Sequence, residues 1–107
     1  MTWVTVSEQG ERYKLTARGH AQGSEAVCAA VSALCYSLAA WLINALKAGG
    51  DLQIHEMDMG DACARFDFEG GNATRAAFEL VLIGLAQLAQ QYPQYINIDL
   101  HEFEPEN

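Results

Sequence analysis

Residues 24–47, SEAVCAAVSALCYSLAAWLINALK, form the stretch that decides how this chain folds. Ser24 is a favoured N-cap residue and the pair Gly49-Gly50 follows the stretch, so we expect one helix that begins at Glu25 and ends at these glycines. From Ala26 to Leu46 no residue is charged. A helix that is apolar over more than one face must be covered on more than one side, which places it in the centre of the fold.

Short strand patterns lie on both sides of this helix. Apolar and polar residues alternate in five segments, and the turn residues between segments predict two hairpins, one before the helix and one after it. In the third segment the alternation changes phase, which predicts a β-bulge near His55-Glu56. The apolar members of the segments are Val4 and Val6; Tyr13, Leu15 and Ala17; Leu52, Ile54, Met57 and Met59; Ala62, Ala64, Phe66 and Phe68; and Ile96, Ile98 and Leu100.

A second helix is predicted from about Ala73 to Gln91, with Asn72 as its cap and Pro93 beyond its end. The element order is then ββαββαβ, with an acidic tail after the last strand. This order indicates an α+β fold in which two helices pack on one mainly antiparallel sheet. The chain has 107 residues, of which 50% are hydrophobic and only two are proline, so we expect residues 1–107 to form a single domain.

The charge balance narrows the range of partners. Six Lys and Arg residues against 14 Asp and Glu residues give a formal net charge of −8, which disfavours direct binding to nucleic acid and suits a basic protein or peptide. Three cysteines without a CxxC motif, and a polar N-terminus unlike a signal peptide, indicate a reducing, cytoplasmic setting. No Cys or His spacing resembles a zinc site, so we expect neither a metal nor a cofactor.

The long apolar helix raises two questions about its surroundings. It is long enough to cross a bilayer, but its Ala, Ser and Asn content and the strands on both sides argue against a membrane span, which remains the less favoured interpretation. Because one small sheet covers only one face of a helix, we expect a homodimer built on this helix. One apolar stripe consists of Val31, Leu34, Leu38 and Leu42, while Tyr36, Trp41 and Ile43 lie off that stripe.

The residues with chemical potential lie where this helix begins. Cys28 falls in the predicted first turn, and His20 precedes it in a loop that contains Gly19 and Gly23. A helix N-terminus and a nearby imidazolium both favour the thiolate, which is the nucleophilic form of cysteine. The unpaired N–H groups of the first turn could hold an oxyanion that develops on a substrate carbonyl. His20 could act first as a base and then as an acid for the leaving amine.

Two further side chains could belong to such a site. Cys28 and His20 could also have purely structural roles. Glu25 lies three residues before Cys28 and could orient the imidazole or engage the helix N-terminus. Ser32, four residues after Cys28, shares its helix face and could line the same site. A cysteine on an apolar helix is more often part of the core, as we expect for Cys35. His20 could equally be an ordinary loop residue beside glycines that only turn the chain.

A family resemblance bears on this choice. The chain resembles the signature of the ribosomal-processing cysteine protease family, in which Gly-His-Ala and a glycine-containing loop precede Gly-x-Asp-Ile-Val-Cys-Ala-Ala-Val-Ser-Ala-Leu. The element order and the chain length are also similar to that family. The chain differs from the pattern at Glu25, at Ala26, and in a shorter loop from Ala21 to Gly23. The matching segments are Gly19-His20-Ala21 and Gly23-Ser24-Glu25-Ala26-Val27-Cys28-Ala29-Ala30-Val31-Ser32-Ala33-Leu34.

The resemblance implies a homodimeric cysteine endopeptidase, which is a hydrolase of the thiol protease type. Its implied role in ribosome biogenesis is to remove the N-terminal extension of large-subunit ribosomal protein twenty-seven. The alternative, from a different class, is a non-catalytic dimeric module that binds a basic ribosomal protein. The resemblance further implies a catalytic dyad of His20 and Cys28, and a mobile substrate loop that includes Gly19, Ala21, Gln22 and Gly23.

Overall fold

The computed structural model describes residues 1–101, except for the side chain of His101. The predicted order ββαββαβ and the α+β class are confirmed. The acidic tail predicted after the last strand lies outside the described residues. In chain order the elements are β1 (Thr2–Gln9), β2 (Arg12–Arg18), α1 (Glu25–Lys47), β3 (Leu52–Gly60), β4 (Cys63–Gly70), α2 (Asn72–Gln91) and β5 (Ile96–His101).

The five strands form one sheet in the order β3-β4-β2-β1-β5. Both predicted hairpins are present as antiparallel pairs, β1 with β2 and β3 with β4, and antiparallel pairing of β2 with β4 joins them. β5 instead runs parallel to β1, with Ile96 opposite Thr2. This direction follows from the connection between β4 and β5. A helical crossover such as α2 makes the strand after it run in the same direction as the strand before it, so β5 runs in the direction of β4, which is also that of β1.

One face of the sheet is buried beneath the helices and forms the core. At its centre, the ring of Tyr13 lies 5.5 Å from that of Phe68 and 5.1 Å from that of Phe78, centroid to centroid. The helices also approach each other closely, because a Cβ at Gly84 would lie only 2.9 Å from a methyl carbon of Leu34. The buried residues of α1 are Val27, Val31, Cys35, Leu38, Ala39 and Leu42.

α1 is the one helix within residues 1–101 whose length and composition would suffice to cross a membrane. Its buried residues recur every three or four positions and belong to the core cluster beneath the sheet. A helix in the core of a domain passes the same test of length and composition. The expectation that this chain does not span a membrane therefore stays a prediction.

The structure confirms one predicted helix cap and corrects the other. Ser24 precedes α1, and its hydroxyl accepts a hydrogen bond from the N–H of Val27 at 3.2 Å. Asn72 is not the cap of α2 but its first residue, and the cap position falls on Gly71, which has no side chain that could accept a hydrogen bond. The helix begins one residue early because the Gly71 carbonyl already accepts the N–H of Arg75 at 2.9 Å.

The predicted bulge is confirmed in β3. Ile54 pairs with Phe68, and Glu56 pairs with the adjacent Asp67, so His55 is the extra residue. The extra residue explains the phase change in the sequence, since it returns the later apolar residues of β3 to the helix-facing side of the sheet.

Candidate active site

Gly19 turns the chain from β2 into the loop that carries His20. Its φ is +89°, and a Cβ at this position would lie 2.5 Å from the carbonyl oxygen of Met1, so no side chain fits there. The Gly19 N–H donates to the Ala62 carbonyl at 2.9 Å, and the Met1 nitrogen donates to the His20 carbonyl at 2.7 Å. These contacts fix the backbone of the loop at His20.

The thiol of Cys28 lies against this same loop. The Ala21 N–H donates to the Cys28 sulfur at 3.1 Å, and the sulfur lies 3.7 Å from the Ala21 carbonyl oxygen. Ala21 itself is 2% exposed and is therefore anchored in the core. The N–H and the carbonyl of Ala21 both face the sulfur, so the backbone of the loop fixes the position of the thiol.

The first turn of α1 has fewer free N–H groups than the sequence alone indicates. The Cys28 N–H donates to the Ser24 carbonyl at 3.2 Å, and the Val27 N–H donates to the Ser24 hydroxyl. Within the described residues, the N–H groups of Glu25 and Ala26 have no acceptor. The N–H groups of Glu25 and Ala26 are therefore available to the predicted oxyanion site at the helix N-terminus, whereas the N–H of Cys28 is not.

The imidazole of His20 is exposed, in contrast to the fixed backbone that carries it. No hydrogen bond joins it to Cys28 in the part of the chain that the structure describes. Both residues nevertheless line the same two hollows. The structure therefore brings His20 and Cys28 to the same hollows without a hydrogen bond between them, and catalytic hydrogen bonds are often formed only after substrate binds.

Two hollows meet at Cys28. The inner cavity has a volume of about 290 Å³ and lies between α1 and the β3–β4 turn, and Ser32 lines it together with Cys28 and His20. The outer hollow, about 560 Å³, is lined by the same pair and by the residues of the loop and the helix start, Ala21, Gln22, Gly23, Ser24 and Glu25. The structure thus places every predicted site residue at one of the two hollows.

Glu25 and Gly23 both line the outer hollow. Glu25 is exposed and forms neither a hydrogen bond nor an ion pair with His20 among the described residues, so the expected orienting contact is not present. Gly23 has a φ of +93°, and a Cβ there would lie 3.5 Å from the ring of Tyr95. The loop is therefore packed on Tyr95 at one end and tied to Cys28 at the other.

The three cysteines are all free thiols. Cys35 is 2% exposed, and burial raises its pKa to about 11, so it is a protonated core thiol at neutral pH as expected. Within residues 1–101 no group of three or more His, Cys, Asp or Glu side chains could hold a metal ion.

The wall of the cavity opposite α1 was not predicted from the sequence. Met59 at the end of β3, and Asp61 and Ala62 of the β3–β4 turn, line this wall, and Tyr36 lines the helix side. The turn signal Gly60-Asp61 is visible in the sequence. Its position beside the His20 loop depends on the pairing of β2 with β4, which no local pattern reveals.

An α+β domain that combines a cysteine near a helix N-terminus with a histidine at the same cleft has the arrangement of a cysteine protease. Residues 1–97 match the family model described as Cysteine protease Prp, and the chain belongs to this family. It is therefore a cysteine protease.

Several solved structures share the fold. The chain is similar to SMU.848 from Streptococcus mutans, with 24% identity and a TM-score of 0.68 over 95% of each chain. It is also similar to the essential ribosomal processing protease Prp from S. aureus in complex with a covalently linked product peptide, with 18% identity and a TM-score of 0.68 over 94% of this chain and 100% of that one. The S. aureus protein with a substrate peptide gives 17% identity and a TM-score of 0.62 at the same coverage. A comparison with curated proteins finds no match.

Proposed function

We propose that this protease removes the N-terminal extension of large-subunit ribosomal protein twenty-seven, with Cys28 as the nucleophile and His20 as the proton carrier. The observation that carries the assignment is the position of the Cys28 sulfur, which lies at the junction of two hollows and accepts a hydrogen bond from the Ala21 N–H. The S. aureus structural neighbour is described as a ribosomal processing protease with a covalently linked product peptide, which supports the substrate class.

The first half of the reaction forms an acyl-enzyme. The thiolate of Cys28 attacks the scissile carbonyl carbon, and the carbonyl oxygen becomes an oxyanion that the N–H groups of Glu25 and Ala26 can stabilise. His20, which has taken the thiol proton, gives it to the amide nitrogen. The carbon–nitrogen bond then breaks, the amine product leaves, and a thioester remains on Cys28.

The second half restores the enzyme. His20 takes a proton from water, the resulting hydroxide equivalent attacks the thioester carbon, and the same N–H groups stabilise the second oxyanion. The carbon–sulfur bond breaks, and the released thiolate can recover its proton from His20. In this scheme Glu25 supports the imidazole once substrate is bound, Ser32 lines the floor of the cavity, and the loop of Gly19, Ala21, Gln22 and Gly23 covers the peptide.

The test uses the purified chain with ribosomal protein twenty-seven carrying its N-terminal extension, and mass spectrometry of the products. Wild type should cleave between the extension and the mature protein, while Cys28→Ala should give no product. His20→Ala should reduce kcat/KM by about 10²–10⁴-fold, the usual contribution of a general acid–base. Cys35→Ala, which changes a core thiol, should retain cleavage, and product formation by Cys28→Ala would remove Cys28 from the mechanism.

We further propose that the protease is a cytoplasmic homodimer without a membrane or nucleic-acid partner. The three free thiols support a reducing compartment. The outer surface of the helix layer supports the dimer, since Leu80 and Ile83 of α2 are 70% and 55% exposed beside the long apolar α1. The net charge of −8 supports a basic substrate over nucleic acid.

A further inference from the structure

The inner cavity extends along α1 well beyond the nucleophile. Cys28, Ser32 and Tyr36 are spaced by four residues, so they lie on one helix face, and all three line the cavity. Tyr36 lies eight positions after Cys28, which corresponds to about 12 Å along the helix axis at 1.5 Å per residue. The ring of Tyr36 at the far end is 60% exposed in the single chain.

Asp61 lies in the wall opposite this helix face. It is part of the β3–β4 turn, it lines the cavity, and it is exposed. Its carboxylate forms no hydrogen bond or ion pair with any residue between 1 and 101. The next residue, Ala62, accepts the Gly19 N–H at 2.9 Å, so the turn is held at a fixed place relative to the loop of His20.

The acidic and basic side chains that line the two hollows have one sign, although the Met1 ammonium lies beside them and donates to the His20 carbonyl at 2.7 Å. Of the described residues that line them, Asp61 and Glu25 are acidic, and none is Lys or Arg. A groove lined by one sign of charge attracts substrate groups of the opposite sign. The combination of an exposed aromatic ring and an unpaired carboxylate suits a side chain with an apolar stem and a cationic head, because the ring packs on the stem or the cation and the carboxylate pairs with the head.

We propose that Tyr36 and Asp61 form a specificity subsite for a Lys or Arg side chain of the substrate. Tyr36, at the far end of the subsite, lies about 12 Å along the helix axis from Cys28, and an extended peptide advances about 3.3 Å per residue. A side chain that packs on Tyr36 therefore belongs to a residue three or four positions from the scissile bond. The inference rests on the proposed role of Cys28 as the nucleophile. Tyr36 and Asp61 select the substrate and take no part in the chemical step.

The first experiment profiles cleavage sites in a peptide library made by digesting a bacterial proteome at Glu, which leaves Lys and Arg inside the peptides. Wild type should enrich Lys and Arg at one position, three or four residues from the cleaved bond. Asp61→Asn should weaken this enrichment, and Asp61→Lys should abolish it or replace it by an enrichment of Asp. An unchanged Lys and Arg preference in Asp61→Lys, or no such preference in wild type, would overturn the subsite.

Asp51 offers a matched control. It is an exposed aspartate at the other end of β3, about 30 Å away along the strand at 3.3 Å per residue. Asp51→Lys makes the same change in net charge and should keep the wild-type preference. Tyr36→Phe should also keep it, whereas Tyr36→Ala should reduce it.

A second readout does not need turnover. The alkylthiolation rates of Cys28 by a cationic and an anionic methanethiosulfonate should favour the cationic reagent in wild type. Asp61→Lys should lower the ratio of the two rates at least about threefold through the reversed charge, while Asp51→Lys should not. An equal ratio in wild type and Asp61→Lys contradicts the proposal even if no library peptide is cleaved. A failure of the proposed function gives a different result from a failure of the subsite, because in that case Cys28→Ala still cleaves the substrate.

Discussion

Cys28 and Cys35 lie seven residues apart on one helix, yet their surroundings give them opposite chemistry. Cys28 is half-buried and accepts the Ala21 N–H, whereas Cys35 is 2% exposed among apolar neighbours. Burial raises the pKa of Cys35 to about 11, so it remains a neutral thiol until the solution is strongly alkaline. At neutral pH we expect iodoacetamide to label Cys28 and to leave Cys35 unmodified until the protein is denatured, as peptide mass spectrometry would show.

We expect the contact between His20 and Cys28 to differ between the free enzyme and the enzyme with bound substrate. The imidazole of His20 forms no hydrogen bond with the thiol in the described structure. His20→Ala should therefore change the iodoacetamide labelling rate of free Cys28 by no more than about twofold, although we expect it to reduce cleavage strongly. A labelling rate that falls as steeply as kcat/KM would contradict this, because it would mean that the dyad is already formed without substrate. The unreactive Cys35 serves as the internal reference.

The sequence predicts the parts of this site that depend on local structure. His20, Cys28 and the Ser24 cap are predicted correctly in position because a loop, a cap and a first helical turn are set by neighbouring residues. The meeting of Tyr36 and Asp61 at one cavity depends on which strands pair, so no local pattern indicates it.

The loop between β2 and α1 positions His20, so we expect changes in its backbone to affect activity. Gly19 has a positive φ, and a Cβ there would also collide with the Met1 carbonyl, so Gly19→Ala must displace the backbone that carries His20. We expect Gly19→Ala to lower kcat/KM by about tenfold or more, as small misplacements of reacting groups do.

Gly10 is the matched control, because its φ is +62° but nothing lies within 4 Å of a Cβ there. Gly10→Ala should therefore lower thermal stability through backbone strain while kcat/KM stays near the wild-type value. Equal effects of the two substitutions on kcat/KM would show that the Met1 contact does not position the loop.

Elements differ in how far sequence determines them. Both hairpins, the bulge at His55 and the span of α1 follow from alternation and turn residues, and all are confirmed. The predicted start of α2 is wrong by one residue, because the backbone carbonyl of Gly71 closes the first turn without a side-chain cap. The parallel pairing of β5 with β1 is a contact between chain ends, which alternation within β5 does not encode.

Over the whole molecule, the two large surfaces differ in their suitability as a dimer interface. The open face of the sheet carries charged pairs, such as Arg12 and Asp67 at 2.6 Å, and burying such pairs costs desolvation. The Arg12 hydrogen bond also holds the pKa of Asp67 below its usual value. The helix layer instead exposes Leu80 and Ile83, whose burial is favourable, so the helix layer is the surface that we expect to be covered.

We therefore expect a mass of about twice 11.7 kDa by sedimentation equilibrium at micromolar concentration, with about 800 Å² buried on each subunit. Leu80→Glu and Ile83→Glu should each give monomers with an unchanged circular dichroism spectrum, because both side chains already face water in the single chain. Leu100→Glu is the matched control, since Leu100 is 54% exposed but lies on β5, and it should remain dimeric. A monomeric wild type would contradict the dimer, and dissociation by Leu100→Glu alone would instead place the interface at the edge of the sheet.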